Sequence, residues 1–181
     1  MVRNMFDVDA ALVPKILQIR TRREAYPLLL PPDSIGAELG VMIGENARDL
    51  LDAQKTKQLF LVDDWSNPFC NRGTVENLIA GRGDVSIVTG DAASWLASLD
   101  EGALDWAYLD TTHWIENTVR ELPAMIHAVK PGGVIATHDF CINDAWEGGI
   151  VVPFLEAISR GLLAPLAVTL DAFPSLFCRR L

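Results

Sequence analysis

The sequence predicts a doubly wound α/β domain, a mostly parallel sheet covered by helices on both faces, and three observations carry the prediction. Seven short apolar runs of strand type fall at 35–40, 58–63, 84–89, 104–110, 132–139, 165–171 and 175–180, and helix-forming segments lie between most of them. The runs are apolar nearly throughout, as strands buried on both faces are. The last two are separated only by Ala172-Phe173-Pro174, too short for a helical crossover, so they must pair antiparallel.

The elements follow in order. Residues 9–30 read as helical, with Ala11, Leu12, Ile16, Leu17 and Ile19 at helical spacing. The turn-forming PPDS at 31–34 then separates an N-terminal helical cap, 1–34, from an α/β domain over 35–181. Behind the first five strand runs come the helical segments ENARDLLDAQ, GTVENLIAG, AASWLASL, ENTVRELPAMIHAV and VVPFLEAISRGL. Lys130-Pro131-Gly132-Gly133 reads as the turn between the fourth of these helices and the fifth strand. At 181 residues, half of them apolar, the chain suits one compact domain.

Charge and cysteine usage narrow the function classes. With 24 acidic and 15 basic side chains the net charge is −9, which disfavours a nucleic-acid or anionic-membrane partner. The basic clusters TRR at 21–23 and CRR at 178–180 are too short to override it. Cys70, Cys141 and Cys178 form no CxxC pair, which argues against a disulfide framework and against structural zinc. Asp7, Asp9 and Lys15 interrupt the apolar residues where a signal peptide needs an unbroken run, so a cytoplasmic location is expected.

In such a fold the first strand-to-helix turn is the usual cofactor cradle. Here it is GAELGVMIGENA, residues 36–47, with Gly40 and Gly44 flanking the turn and a helix starting near Glu45. The dinucleotide fingerprint GxGxxG is missing, and Glu38 and Glu45 would repel a pyrophosphate but not a cationic ligand. Asp63, followed by Asp64 and Trp65, ends the second strand run 19 residues after Gly44, where an acid can accept both hydroxyls of a ribose. That placement suits a nicotinamide or an S-adenosyl cofactor. Asp91 and Ala92 follow the third run in the same way; Asp91 is placed to accept from an exocyclic adenine amine, or simply to cap the helix AASWLASL.

Taken in order, GAELGVMIGENA, FLVDDW, VTGDA, LDWAYLDTTHW and KPGGVIATHDF resemble the class I S-adenosylmethionine-dependent methyltransferases, over residues 35–140. The closest likeness is to a small branch with a D-x-x-H turn after the fourth strand and P-G-G…H-D at the fifth. The resemblance implies a Rossmann-like methyltransferase fold, a seven-stranded sheet whose last strand pair is reversed. It also assigns Glu38 and Gly40 to the methionine end of the donor, Asp63 to the ribose, and Asp91 with Ala92 to the adenine. Thr111 stands where the family normally has glycine, and Met42 and Ile43 stand where small residues are common.

At the chemical end, Asp110 and Asp139 close the fourth and fifth strands, with His113 and His138 beside them. Methyl transfer needs alignment of donor and nucleophile and, for a hydroxyl or amine, a proton acceptor. His138 or His113 is the expected base. The alternative reading of the two acids is a magnesium site, because metal-dependent O-methyltransferases use acids at these strand ends; Phe140 replaces the neighbouring ligand. Asp110 as a helix cap and His138 as an interior histidine are the structural readings. The expectation is therefore O-methylation of a small-molecule acceptor, with a second subunit as one way to close the cleft. The competing readings are a non-catalytic S-adenosyl-binding partner subunit and a nicotinamide-dependent oxidoreductase.

Overall fold

The computed structural model describes residues 16–141 and 148–181. In chain order its elements are β1 (Leu17–Ile19), α1 (Arg22–Leu29), β2 (Ser34–Leu39), α2 (Glu45–Ala53), β3 (Thr56–Asp63), α3 (Arg72–Leu78) and β4 (Val85–Thr89). They continue with α4 (Ala92–Ala97), β5 (Leu104–Leu109), α5 (Ile115–Ala128), β6 (Val129–Thr137), α6 (Val151–Ser159), β7 (Leu163–Thr169) and β8 (Leu176–Arg180).

The strands form one sheet in the order β1-β7-β8-β6-β5-β2-β3-β4. Only β8 runs against its neighbours, pairing antiparallel with both β6 and β7, and this is the hairpin the short Ala172-Phe173-Pro174 connection requires. From the central β2 the chain winds outward through β3 and β4, then returns to β5 on the other side of β2. That reversal leaves a crevice beyond the carboxyl ends of β2 and β5, where loops diverge to either face and make room for a ligand.

Seven of the strands match the seven apolar runs; β1 is an eighth at the sheet edge. Here the expected helix over 9–30 is corrected. Leu17, Gln18 and Ile19 pair parallel with Ala167, Val168 and Thr169, and the helix starts only after Thr21, whose side chain accepts from the Glu24 N–H at 3.3 Å. Three residues are too few for a periodicity to show, so the apolar spacing of Ile16, Leu17 and Ile19 suited a helix as well as an edge strand. The first part of that expected helix, 9–15, lies outside the described residues. The KPGG turn lies within β6 as a break in its pairing: Leu104 opposes Val129, yet Trp106 opposes Val134.

Each face of the sheet has its own core. On one, Ala25 and Tyr26 of α1, Ala47 and Leu50 of α2 and Val75 of α3 pack on Leu59, Leu61, Trp106 and Tyr108. On the other, Leu96 of α4, Leu122 and Met125 of α5 and Phe154 of α6 pack on Leu39, Val62, Leu109 and Ile135. Gly36 makes room for the largest of these side chains. A Cβ on it would stand 1.9 Å from the Trp106 ring, which is fully buried and donates Nε1–H to Ser34 Oγ at 2.9 Å. No helix among the described residues is long and apolar enough to cross a membrane.

Candidate active site

A cleft of about 780 Å3 opens over the crevice. Its floor is the turn between β2 and α2, and backbone geometry explains the glycines there. Gly40 has φ +86°, and a Cβ on it would lie 2.1 Å from the Asp110 carbonyl oxygen, so β2 and β5 close together only over a bare backbone. Gly44, φ +83°, opens α2. Between them Met42 adopts φ +55° in spite of its side chain.

Asp63 holds this turn. Its Oδ2 accepts the backbone N–H groups of Val41 at 2.7 Å and Met42 at 3.0 Å, and its Oδ1 accepts that of Trp65 at 2.7 Å. A carboxylate offers roughly four acceptor positions; beside the three backbone donors only the weak Cys70 thiol approaches, at 3.8 and 3.9 Å, and a stronger ligand donor could replace it on this group lining the cleft. Asp64 also lines the cleft, while accepting from the Ser66 N–H at 2.8 Å. Trp65 does not line it: the indole packs against the core on the α1–α3 face, and the residue reaches the cleft only through its N–H to Asp63.

Glu38 is the most deeply placed acid, 1 % exposed. Its Oε1 accepts from Asn46 Nδ2 at 3.2 Å, and Asn46 Oδ1 in turn accepts from the Tyr26 hydroxyl, so α1 and α2 together fix the carboxyl. Its Oε2 is buried without a partner. Burial, then the nearby Asp110 charge, push the Glu38 carboxyl well above the usual carboxylate range. A buried polar atom left unsatisfied costs free energy that a ligand donor would recover.

On the far wall, Asp91 caps α4: Oδ1 accepts from the Ser94 N–H at 2.9 Å and Ser94 Oγ at 2.6 Å, and pairs with Arg120 Nη2 at 2.9 Å. The Ser94 hydroxyl first, then its N–H and Arg120, hold Asp91 below the usual range against a modest effect of burial. Ala92 and Gly90 line the cleft beside it. Thr111, in place of the family's glycine, donates to Glu121 Oε2 at 2.9 Å. Glu121 is 3 % exposed, and burial lifts its carboxyl from 4.5 to about 7.

That raised carboxyl predicts a pH dependence. Its folded value lies above the unfolded one, so the folded state binds the proton more tightly and stability falls as pH rises from 4.5 through 7. The full effect is on the order of 3 kcal/mol. Urea unfolding at pH 5 and pH 8 is expected to show a smaller loss in Glu121→Gln than in the wild type; an equal loss would remove Glu121 as the cause.

The chemical end is a chain of four side chains. His113 Nε2 lies 2.7 Å from Asp139 Oδ2, and His138 Nδ1 lies 3.2 Å from the same oxygen and 3.3 Å from Asp110 Oδ1. The left-handed backbone of Asp139, φ +52°, turns its carboxylate in between the two rings. Burial by itself would lower the His138 imidazole, yet Asp110 and Asp139 together raise it to about 9, so it is an imidazolium at neutral pH. Burial likewise opposes ionisation of Asp139, but the imidazoles of His113 and His138 hold it below the usual range. An imidazolium has no lone pair to accept a proton, whereas a neutral imidazole keeps one on its unprotonated ring nitrogen. One atom each from Asp110, His113 and Asp139 lies within 4.8 Å of the others, a spacing that suits a divalent cation.

Every residue expected at the cofactor and the chemistry, except Trp65 and Gly44, lines this one cleft; Gly44 faces α3 instead, where a Cβ on it would stand 3.2 Å from Val75 and Leu78. Sequence reasoning passed over Arg22, Asn46 and Glu121, which also line it. Asn46 and Glu121 lie on faces of α2 and α5 whose inward direction was readable from helical spacing. Arg22 was set aside as part of a weak basic cluster.

Residues 37–140 match the family model described as a methyltransferase domain. Among solved structures, an rRNA methylase from Streptococcus thermophilus superposes with a TM-score of 0.66 at 13% identity, over 88% of this chain and 93% of that one. A Streptococcus mutans protein in complex with SAH gives 0.66 at 13%, over 88% and 95%. Burkholderia thailandensis 1,6-didemethyltoxoflavin-N1-methyltransferase, with bound 1,6-didemethyltoxoflavin and S-adenosylhomocysteine, gives 0.64 at 13%, over 87% and 77%. At these identities the likeness is one of fold. No curated protein matches the chain at a significant level.

Proposed function

We propose that this chain, which belongs to the methyltransferase domain family and is a methyltransferase, moves the methyl group of S-adenosylmethionine to a hydroxyl of a small-molecule acceptor. The family membership displaces the nicotinamide reading. The observation that carries the donor assignment is the partnerless Glu38 Oε2, buried in a cleft at the sheet's switch point where a cationic ligand would satisfy it. Glu38 and Gly40 would hold the amino-acid end, Asp63 with Asp64 the ribose, and Asp91 with Ala92 the adenine, while Gly44 starts α2 behind the turn. When bound, the donor supplies an electrophilic methyl group.

This chain's side chains do the rest. His113 takes the acceptor's proton, and Asp139 fixes the tautomer and steadies the imidazolium that forms. Protonated His138 keeps Asp110 and Asp139 in place between β5 and β6. The half-exposed Met42, Trp114 and Phe173 at the cleft give the acceptor's carbon frame an apolar seat. Among the described residues the cleft is lined by eight carboxyl-bearing residues against the single arginine Arg22, which repels a phosphate backbone and favours an uncharged acceptor. A divalent ion on Asp110, His113 and Asp139 is the second reading, favoured by their spacing. It would have to share the place with the His138 imidazolium, so we take the reaction as metal-independent.

The test is transfer of labelled methyl from S-adenosylmethionine, with and without EDTA, to pools of hydroxylated small molecules and to rRNA. Label in the small molecules, undiminished by EDTA, is expected. Label in RNA would overturn the acceptor class, stimulation by magnesium would make Asp110, His113 and Asp139 cation ligands, and donor binding without transfer to either pool would revive the partner-subunit reading.

A further inference from the structure

Arg22 lies outside the stretch that matches the family and was not part of the site expected from the sequence. It is the first residue of α1 and lines the cleft on the same wall as Glu38 and Asp110. Its side chain is 20 % exposed, and Nη1 stands 3.8 Å from Asp110 Oδ2. Charge-assisted hydrogen bonds between guanidinium and carboxylate close to about 2.7–2.9 Å, so this pair is held open. A guanidinium carries five N–H donors in a flat fork suited to a carboxylate, and a half-buried one gains more from a second partner than an exposed one does.

The wall therefore presents a positive fork, Arg22, beside two acceptors for a cation, Asp110 and the partnerless Glu38 Oε2. Positive and negative sites a few ångströms apart are complementary to a zwitterion. An α-amino carboxylate is one, with its ammonium and carboxylate on the same carbon. Resting on the donor assignment above, we propose that Arg22 grips the carboxylate of the donor's amino-acid end while Glu38 and Asp110 take its ammonium. The enzyme would then select donors by a residue of its N-terminal helix. Its basic neighbour Arg23 does not share the role, being paired with Asp49 at 3.1 Å and Asp52 at 3.3 Å, away from the cleft.

Calorimetric titration tests this with three ligands: S-adenosylhomocysteine, its decarboxylated analogue, which keeps the amine, and 5′-methylthioadenosine, which lacks the whole amino-acid end. On the wild-type chain the decarboxylated analogue is expected to bind about tenfold to a hundredfold more weakly than S-adenosylhomocysteine, the range of a hydrogen bond to a charged group. Arg22→Met is expected to weaken S-adenosylhomocysteine by a similar factor, to leave methylthioadenosine within about threefold and to abolish the penalty for decarboxylation; Arg22→Lys restores part of it. Equal wild-type affinity for the carboxylated and decarboxylated ligands overturns the proposal whether or not the variants fold. So does equal weakening of all three ligands by Arg22→Met, the mark of a merely structural residue. If none of the three binds the wild type, the donor assignment itself fails and the Arg22 proposal falls with it.

Discussion

Gly40→Ala is expected to destabilise the protein by about 3 kcal/mol or more and to abolish donor binding. The new Cβ would stand 2.1 Å from the carbonyl oxygen of Asp110, 2.5 Å from its carbon and 2.8 Å from the Thr111 nitrogen. All three are backbone atoms at the end of β5, so no side chain can swing aside. Relief requires β2 and β5 to part at the point where the cleft opens, displacing the turn that Asp63 holds and the carboxylate of Asp110. The left-handed φ of +86° adds strain of about 1–2 kcal/mol. Gly81→Ala separates the two contributions: Gly81 has φ +79° but nothing within 4 Å of its Cβ, so it keeps the strain and loses the clash. Urea unfolding and S-adenosylhomocysteine titration of both variants are the measurement. Wild-type stability and binding in Gly40→Ala would show that the turn tolerates a side chain and that the packing described here is wrong.

His113→Ala is expected to lower kcat by about a hundredfold to ten-thousandfold while S-adenosylhomocysteine affinity stays near that of the wild type. The ring lies 2.7 Å from Asp139, and the donor assignment gives His113 no contact with the donor's ribose, adenine or amino-acid end. Asp139→Asn should act in the same direction, since it removes the charge that orients His113 and steadies His138. Because the two act as one unit, the double variant should lose little more than the worse single variant. Steady-state methyl transfer with a fixed acceptor decides it. Undiminished kcat in both variants would mean that alignment alone drives transfer.

Much of this site was legible in the sequence. Asp110, His113 and Asp139 follow strand runs, and in a doubly wound sheet strand ends converge on one edge, so one-dimensional order already grouped them. Glu38, Asp63 and Asp91 were placed by the same logic. Less legible was what each group does there. Asp63 binds the backbone N–H groups of Val41 and Met42 before any ligand, and His138 sits between two carboxylates that keep it protonated. Those roles depend on distances of two to four ångströms between segments 20 to 30 residues apart, which no local pattern encodes.

The strand β1 and the residue Arg22 mark the same boundary. The order and type of the elements, the reversed β8 and the family of the chain were determined by the sequence alone, because apolar periodicity and connection length are local properties. Whether Leu17–Ile19 became the end of a helix or an edge strand was decided by the backbone of β7, which pairs with it in parallel 150 residues further along the chain (Leu17 with Ala167, Gln18 with Val168, Ile19 with Thr169). Once that edge forms and Thr21 caps α1, Arg22 has one place to go, the wall beside Asp110. Tertiary structure settled the membership of the site there, because burial and the closeness of opposite charges exist only after the chain has packed.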